Sequence, residues 1–140
     1  MLPTRQIHPN LESAEFWAGT VEGRFILRRC NDCEAVIWYP RAHCPACMST
    51  NISSFDSSGN GIVYSFSITR KGGGAWRDSG PYVVAYVELD EGPRVLTNIV
   101  GCPVDDVFIG QPVRVVFEEP IDGTAVYRFT PRLPTTEEQP

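Results

Sequence analysis

Four cysteines in two Cys-x-x-Cys pairs, Cys30/Cys33 and Cys44/Cys47, constrain this chain more than any other feature. Ten residues separate the pairs, in the run CNDCEAVIWYPRAHCPAC. A tetrahedral metal needs four soft ligands converging on one point. Each Cys-x-x-Cys turn aims two thiolates the same way, and a short hairpin between the turns brings them together. The spacing predicts a zinc ribbon with Cys30, Cys33, Cys44 and Cys47 as ligands. The alternatives are two disulfides or four free buried thiols, and no leader segment argues for the oxidising compartment that disulfides need. A zinc held by four thiolates has no open position for water or substrate, so the predicted metal is structural. Such a site contributes on the order of 10 kcal/mol to folding a small lobe. It stands in for a core that a ribbon of this size is too short to build.

At 140 residues, the chain suits one compact domain with a small appendage. The N-terminal MLPTRQIHPN contains no apolar run. No stretch approaches the ~18 apolar residues of a membrane span. The expectation is a cytoplasmic protein with reduced thiols. The net charge of −5 bears on partners. Zinc ribbons and small barrels that bind nucleic acid carry a basic face. Residues 24–47 hold Arg24, Arg28, Arg29 and Arg41 against Asp32 and Glu34. Four thiolates around one zinc ion offset that local positive charge, so these arginines are expected to compensate the metal site rather than to track phosphates.

Along the chain, residues 1–23 form an arm and a helix. PNLESAEFWAGTVE (9–22) reads as amphipathic, with Asn10 as N-cap, Glu12 and Glu15 at the positive end, and Leu11, Ala14, Ala18 and Val21 on one stripe. Phe16 and Trp17 either dock the helix on its own chain or anchor a partner. Residues 24–56 are the ribbon, with a strand at Val36-Ile37-Trp38-Tyr39 between the knuckles and Pro45 in the second ligand turn. Residues 57–131 read as five strands: 61–70, 81–90, 93–100, 112–119 and 124–131. In the first, Ile62, Tyr64, Phe66 and Ile68 alternate with Val63, Ser65, Ser67 and Thr69. Asp90-Glu91-Gly92 and Asp122-Gly123 are hairpin turns, and Pro103, Asp105 and Asp106 suggest one helical turn between the third and fourth strands. Five strands broken after the third fit an OB-fold barrel, with a plain meander as the alternative. The fold class is therefore mainly β: an N-terminal helix, a rubredoxin-like zinc ribbon and a five-stranded OB-fold barrel. Residues 132–140, Pro-rich and acidic, are expected to be disordered.

The longest loop, Lys71 to Gly80, holds three consecutive glycines together with Lys71, Trp76 and Arg77, and Arg70 stands at its edge. OB barrels bind ligands with this loop and the adjoining sheet face. It is either an ordinary mobile hairpin or a loop that orders on a partner, with Trp76 exposed. Catalytic candidates are scarce. His8 sits in the arm and His43 beside Cys44, while Lys71 is the sole lysine. Cys102 has no base nearby in sequence and reads as a buried structural thiol. Adjacent Asp105 and Asp106 read as a cap or turn. No residue is assigned a catalytic role.

The combination of Phe16-Trp17, Cys30-x-x-Cys33, Pro40-Arg41-x-x-Cys44-Pro45-x-Cys47, Gly59-x-Gly61-x-Val63-Tyr64-Ser65-Phe66, Pro81-Tyr82-Val83-Val84-Ala85 and Glu88-Leu89-Asp90-Glu91-Gly92 resembles a known family. This is the zinc-ribbon/OB-fold acyl-CoA-associated family, long catalogued as a domain of unknown function. The resemblance covers roughly residues 9–131. It implies a non-catalytic accessory subunit of a thiolase-fold enzyme acting on acyl-CoA thioesters. The first expectation is retro-aldol cleavage of a β-hydroxyacyl-CoA of the steroid side-chain type. Accessory roles in acyl transfer or hydroxyacyl-CoA synthesis are the alternatives. A retro-aldol step needs a Schiff-base lysine, an open metal, or an oxyanion hole with a base. This sequence supplies none of them clearly, so a partner is expected to carry the chemistry. Arg41, Arg70, Lys71 and Arg77 are candidates for the phosphates of coenzyme A, and Phe16, Trp17 and Trp76 for the partner interface. The rival reading is a single-strand nucleic-acid binder that stacks bases on Tyr64, Phe66, Tyr82 and Tyr86.

Overall fold

The computed structural model describes residues 2–133. From residue 134 on, the tail expected to be disordered lies outside the described residues. Helix α1 spans Ala14–Val21 and is followed by strands β1 (Ile26–Cys30), β2 (Val36–Ile37) and β3 (Ile52–Asp56). These form a three-stranded antiparallel sheet in the order β2-β1-β3. Strands β4 (Asn60–Thr69), β5 (Tyr82–Leu89), β6 (Arg94–Ile99), β7 (Pro112–Phe117) and β8 (Tyr127–Pro131) close a barrel in the order β4-β5-β6-β8-β7. The one parallel pairing, between β6 and β8, is set by Ile99 opposite Phe129. Five strands closed in this order are an OB barrel, and the meander is excluded. Single 3₁₀ turns occupy Gly74–Trp76 and Val104–Asp106, the second where Pro103 and the two aspartates predicted it.

The helix is shorter than expected and buries the other face. Asn10 and Ser13 exchange reciprocal side-chain-to-backbone bonds of 2.9 and 3.1 Å, making a turn that precedes the helix. Ser13, not Asn10, is therefore the N-cap residue. Leu11 is 97% exposed and Val21 44%, while Phe16, Trp17, Gly19 and Thr20 are buried. The small alanines of the predicted stripe could not compete with two aromatic rings for the interior, because burying a ring removes far more apolar area from water.

Those rings build the junction of the whole chain. Phe16 meets Trp17, Phe25 and Trp38 edge-on, with centroids 4.9–5.1 Å apart. Phe25 stacks on Trp38 at 5.2 Å and meets Tyr127 of the barrel at 5.3 Å. Trp17 Nε1 donates to the Tyr39 hydroxyl at 2.6 Å. One continuous core thus contains helix residues Phe16 and Trp17, ribbon residues Phe25 to Leu27, and barrel residues such as Val83, Val87 and Phe129. Polar ties reinforce it. The Thr20 hydroxyl accepts from the Ala125 backbone N–H at 2.9 Å. The Glu91 carboxylate, in the β5–β6 hairpin, accepts from Ser57 Oγ at 2.7 Å and the Ser58 N–H at 2.9 Å, where ribbon passes into barrel.

In β4, the predicted single alternation breaks. The pairing with β5 shifts register between Val63 and Ser65, a bulge that changes the phase of the strand. Val63 is fully buried, Ile62 and Tyr64 are 40% and 45% exposed, and Phe66 and Ile68 return to pack on the core. Gly61 lies just before the bulge, where β4 pairs with both β5 and β7. A Cβ there would sit 2.5 Å from the Glu88 carbonyl oxygen, so closure of the barrel requires glycine.

Candidate metal centre and barrel-face cavity

The two knuckles repeat one another. In the first, the Glu34 N–H donates to the Cys30 carbonyl at 2.9 Å, and in the second the Met48 N–H donates to Cys44 at 2.8 Å. Glu34 and Met48 both sit at φ 66°, the left-handed turn that follows the second cysteine of each pair. The first cysteine's sulfur accepts a backbone N–H in each case, from Cys33 at 3.5 Å and from Ala46 at 3.3 Å. The Cys33 N–H is the main cause that lowers Cys30 to about 7, while neighbouring cysteine thiols raise Cys33 and Cys47. Cys30 and Cys44 are buried, while Cys33 and Cys47 are exposed.

All four sulfurs lie within 4.8 Å of one another, with Cys30–Cys47 and Cys33–Cys44 at 3.6 Å. Tetrahedral Zn–S bonds of about 2.3 Å place sulfurs about 3.8 Å apart, so the donors fit zinc. A disulfide needs about 2.05 Å, which excludes that alternative. The ribbon arginines do not compensate the sulfurs as expected. Arg24 pairs with Asp56 at 2.9 Å and Glu22 at 3.1 Å. Arg28 donates to the carbonyls of Glu12 and Arg41, and Arg29 lies 4.7 Å over the Phe55 ring. Their work is to tie helix, knuckle and sheet together.

The predicted binding residues fall in separate places. Phe16 and Trp17 are only 1% and 7% exposed, which corrects their assignment to a partner interface, because their own chain covers them. Trp76 is half-buried and folds against Tyr82 with centroids 4.5 Å apart, so it is not the open anchor expected of the loop. Arg41, Arg70, Lys71 and Arg77 are all exposed. Arg70 already holds Asp105 at 2.7 Å, which keeps that carboxyl below the usual aspartate range. Arg94 lies 3.8 Å over the Tyr64 ring and occupies a face that a base would need. Cys102 packs at the edge of the core, where burial and then Asp106 raise its thiol, as a structural cysteine should behave.

Sequence reasoning missed a cavity on the outer barrel face. A hollow of about 390 Å³ opens between the folded-over Trp76, the helix and strands β5, β6 and β8. Trp17, Trp76, Tyr82 and Tyr127 supply aromatic walls, and Asn98 and Arg128 supply the polar part. Arg128 is 5% exposed. Its Nε faces Glu118 at 3.4 Å, Nη1 donates to Asn98 Oδ1, and Nη2 donates to the Pro3 carbonyl at 2.9 Å. Burial lowers the Arg128 pKa, opposed by Glu118. The available signal was an arginine between two aromatics in the last strand, Tyr127-Arg128-Phe129. Alternation in the strand puts Arg128 on the face opposite buried Phe129, but the arm and helix that cover it leave no trace in the strand pattern.

A four-thiolate ribbon fused by one core to an OB barrel defines a class of small zinc-stabilised β protein. Residues 17–53 match the family model described as the ChsH2 rubredoxin-like zinc ribbon domain, and residues 56–118 match the ChsH2 C-terminal OB-fold domain. A DUF35 domain-containing scaffold protein of Methanocaldococcus jannaschii is 37% identical over 106 residues, covering 72% of this chain and 75% of that protein. A probable enoyl-CoA hydratase alpha subunit of Thermomonospora curvata is 32% identical over 128 residues, covering 91% of this chain but only 40% of that subunit. Among solved structures, the Ltp2-ChsH2(DUF35) aldolase superposes with TM-score 0.79 at 31% identity, covering 90% of this chain and 98% of the matched chain. The chain belongs to the DUF35 family of zinc-ribbon/OB-fold proteins, and its four cysteines form that family's structural zinc centre. Among the described residues, no helix is long and apolar enough to cross a membrane.

Proposed function

We propose that this chain is a non-catalytic accessory subunit of a thiolase-fold enzyme acting on acyl-CoA thioesters, with retro-aldol cleavage of a β-hydroxyacyl-CoA of the steroid side-chain type as the reaction served. The observation that carries this reading is the near-complete superposition on the DUF35 chain of an aldolase, at an identity that exceeds likeness of fold. The hydratase relative, of which this chain spans less than half, supports thioester chemistry in the same family.

The chain's own groups agree with a supporting role. Four thiolates saturate the zinc, so it offers no Lewis-acid position. The sole lysine is exposed in the β4–β5 loop, without the desolvation that turns lysine into a Schiff-base nucleophile. Arg70, Lys71 and Arg77 cluster in sequence at one end of the barrel, and Arg41 projects from the ribbon. These four are the groups we assign to coenzyme A phosphates. Arg70 would exchange Asp105 for a phosphate oxygen.

The test is co-purification with the proteins encoded beside it, followed by identification of any thiolase-fold protein retained and sizing of the complex. A stoichiometric complex is the expected result. Failure to retain any thiolase-fold protein, or cleavage of acyl-CoA by this chain alone, overturns the proposal.

A further inference from the structure

The outer barrel face carries a hollow that the partner reading does not require. Asn98 lies opposite Val84 across the β5–β6 ladder, and the parallel pairing of Ile99 with Phe129 sets Asn98 beside Arg128. One row across three strands is therefore Val84, Asn98, Arg128. The next row holds Tyr86 opposite Leu96. A second hollow of about 240 Å³ adjoins the first, and both are lined by Val84 and Leu96. The result is a groove with an apolar floor that runs from Ser65 and Tyr86 to the buried guanidinium.

Two features select the guest. A guanidinium has five N–H donors, and the acceptors Glu118, Asn98 and Pro3 take one from each nitrogen of Arg128, which leaves two N–H groups on a side chain that lines the cavity. The charge itself is already matched by Glu118, whose side chain is 23% exposed against 7% for Arg128. A second anion beside this pair would add charge next to Glu118 in a poorly solvated site, whereas an uncharged oxygen acceptor can take the remaining donors without that cost. Trp76, Tyr82 and Trp17 offer flat apolar surface on either side, and Leu96 forms the floor.

We propose that this groove binds an uncharged, flat apolar molecule through a carbonyl oxygen directed at Arg128. The site lies in this chain alone, so its test stands apart from that of the thiolase partner. The zinc-loaded full chain is titrated with 6-propionyl-2-(dimethylamino)naphthalene, a fluorescent uncharged ketone, following its blue shift and the quenching of Trp17 and Trp76. Competitors of matched shape are 2-acetylnaphthalene, 2-ethylnaphthalene and 2-naphthoate. The expected result is saturable binding displaced by the ketone, with the hydrocarbon and the carboxylate each weaker by about tenfold, the equivalent of one lost polar contact.

Arg128→Gln removes donors but disturbs a buried network, so Trp76→Ala and Leu96→Glu, at a loop and at a half-exposed strand position, serve as second variants. Each is expected to weaken binding by at least about fivefold while the urea midpoint stays near that of the parent. Several results overturn the proposal: no saturable binding up to the probe's solubility, equal displacement by all three competitors, preference for the carboxylate, or binding untouched by Trp76→Ala and Leu96→Glu in folded protein.

Discussion

Truncating Phe16 tests whether helix, ribbon and barrel share one core. The ring is 1% exposed and touches the rings of Trp17, Phe25, Trp38, Tyr39 and Tyr127, which come from all three parts. Phe→Ala at a buried site costs about 3–5 kcal/mol, the transfer term plus the cavity left by walls that relax only in part. Edge-to-face pairs lost with the ring put Phe16→Ala near the upper end, at about 4 kcal/mol. With a urea slope of about 2 kcal/mol/M for a chain of this size, the midpoint falls by about 2 M. The assay is urea denaturation at fixed excess zinc, read by far-ultraviolet circular dichroism and by tryptophan fluorescence. Both probes should report one transition that moves together. Leu11→Ala, at a 97% exposed position in the turn before the helix, should stay within about 0.5 kcal/mol of the parent. A Phe16→Ala midpoint within about 0.5 M of the parent, or a barrel transition left in place while only the ribbon melts, refutes the shared core.

Four further outcomes follow. Cys30→Ser, at a buried ligand, should leave substoichiometric zinc by atomic emission and a ribbon that exchanges its β1 amides freely, since ligand loss removes most of the metal's folding contribution, on the order of 10 kcal/mol. Met48 is 68% exposed at φ 66°, so Met48→Val should cost about 1 kcal/mol by thermal melting while Met48→Gly costs none. The Asp105 carboxyl, depressed by Arg70, should titrate below an ordinary aspartate by carbon NMR and move up in Arg70→Ala. Because its folded value is the lower one, this pair stabilises the fold above the unfolded aspartate pKa, and the contribution disappears as pH falls through the folded value. Replacing Arg70, Lys71 and Arg77 together by alanine should raise the complex's KM for acyl-CoA with kcat little changed, and an unchanged KM would leave these residues without a phosphate role.

The ligand spacing, the five barrel strands and the hairpin turns were legible because each is local, whereas the ribbon strand Ile52–Asp56 was not foreseen and the one expected at 36–39 is only Val36–Ile37. Two Cys-x-x-Cys turns fix a metal site within 18 residues of sequence, from Cys30 to Cys47. Asp122 and Gly123 take φ 49° and 81°, the turn that Asp-Gly announces. What was illegible depends on distant partners. The buried face of α1 is decided by Phe25, Trp38 and Tyr127, and the helix stripe alone pointed to Leu11 and Val21. The β4 bulge at Tyr64 arises from closing the barrel against β5 and β7, and period-two alternation contains no trace of it. Arg128 became a buried cavity residue because distant segments cover it, the arm at Pro3 and the helix at Trp17. The ribbon arginines misled for the same reason, since Asp56, Glu12 and Phe55 claim them.

The proposed role of this chain is to support thioester chemistry performed by another protein. The direct measurement is acyl-CoA cleavage by the thiolase-fold partner alone, by this chain alone, and by the two combined, with zinc content checked in each arm. No turnover is expected from this chain, little from the partner, and full activity from the pair. Turnover by this chain alone, or a partner equally active without it, would contradict the claim.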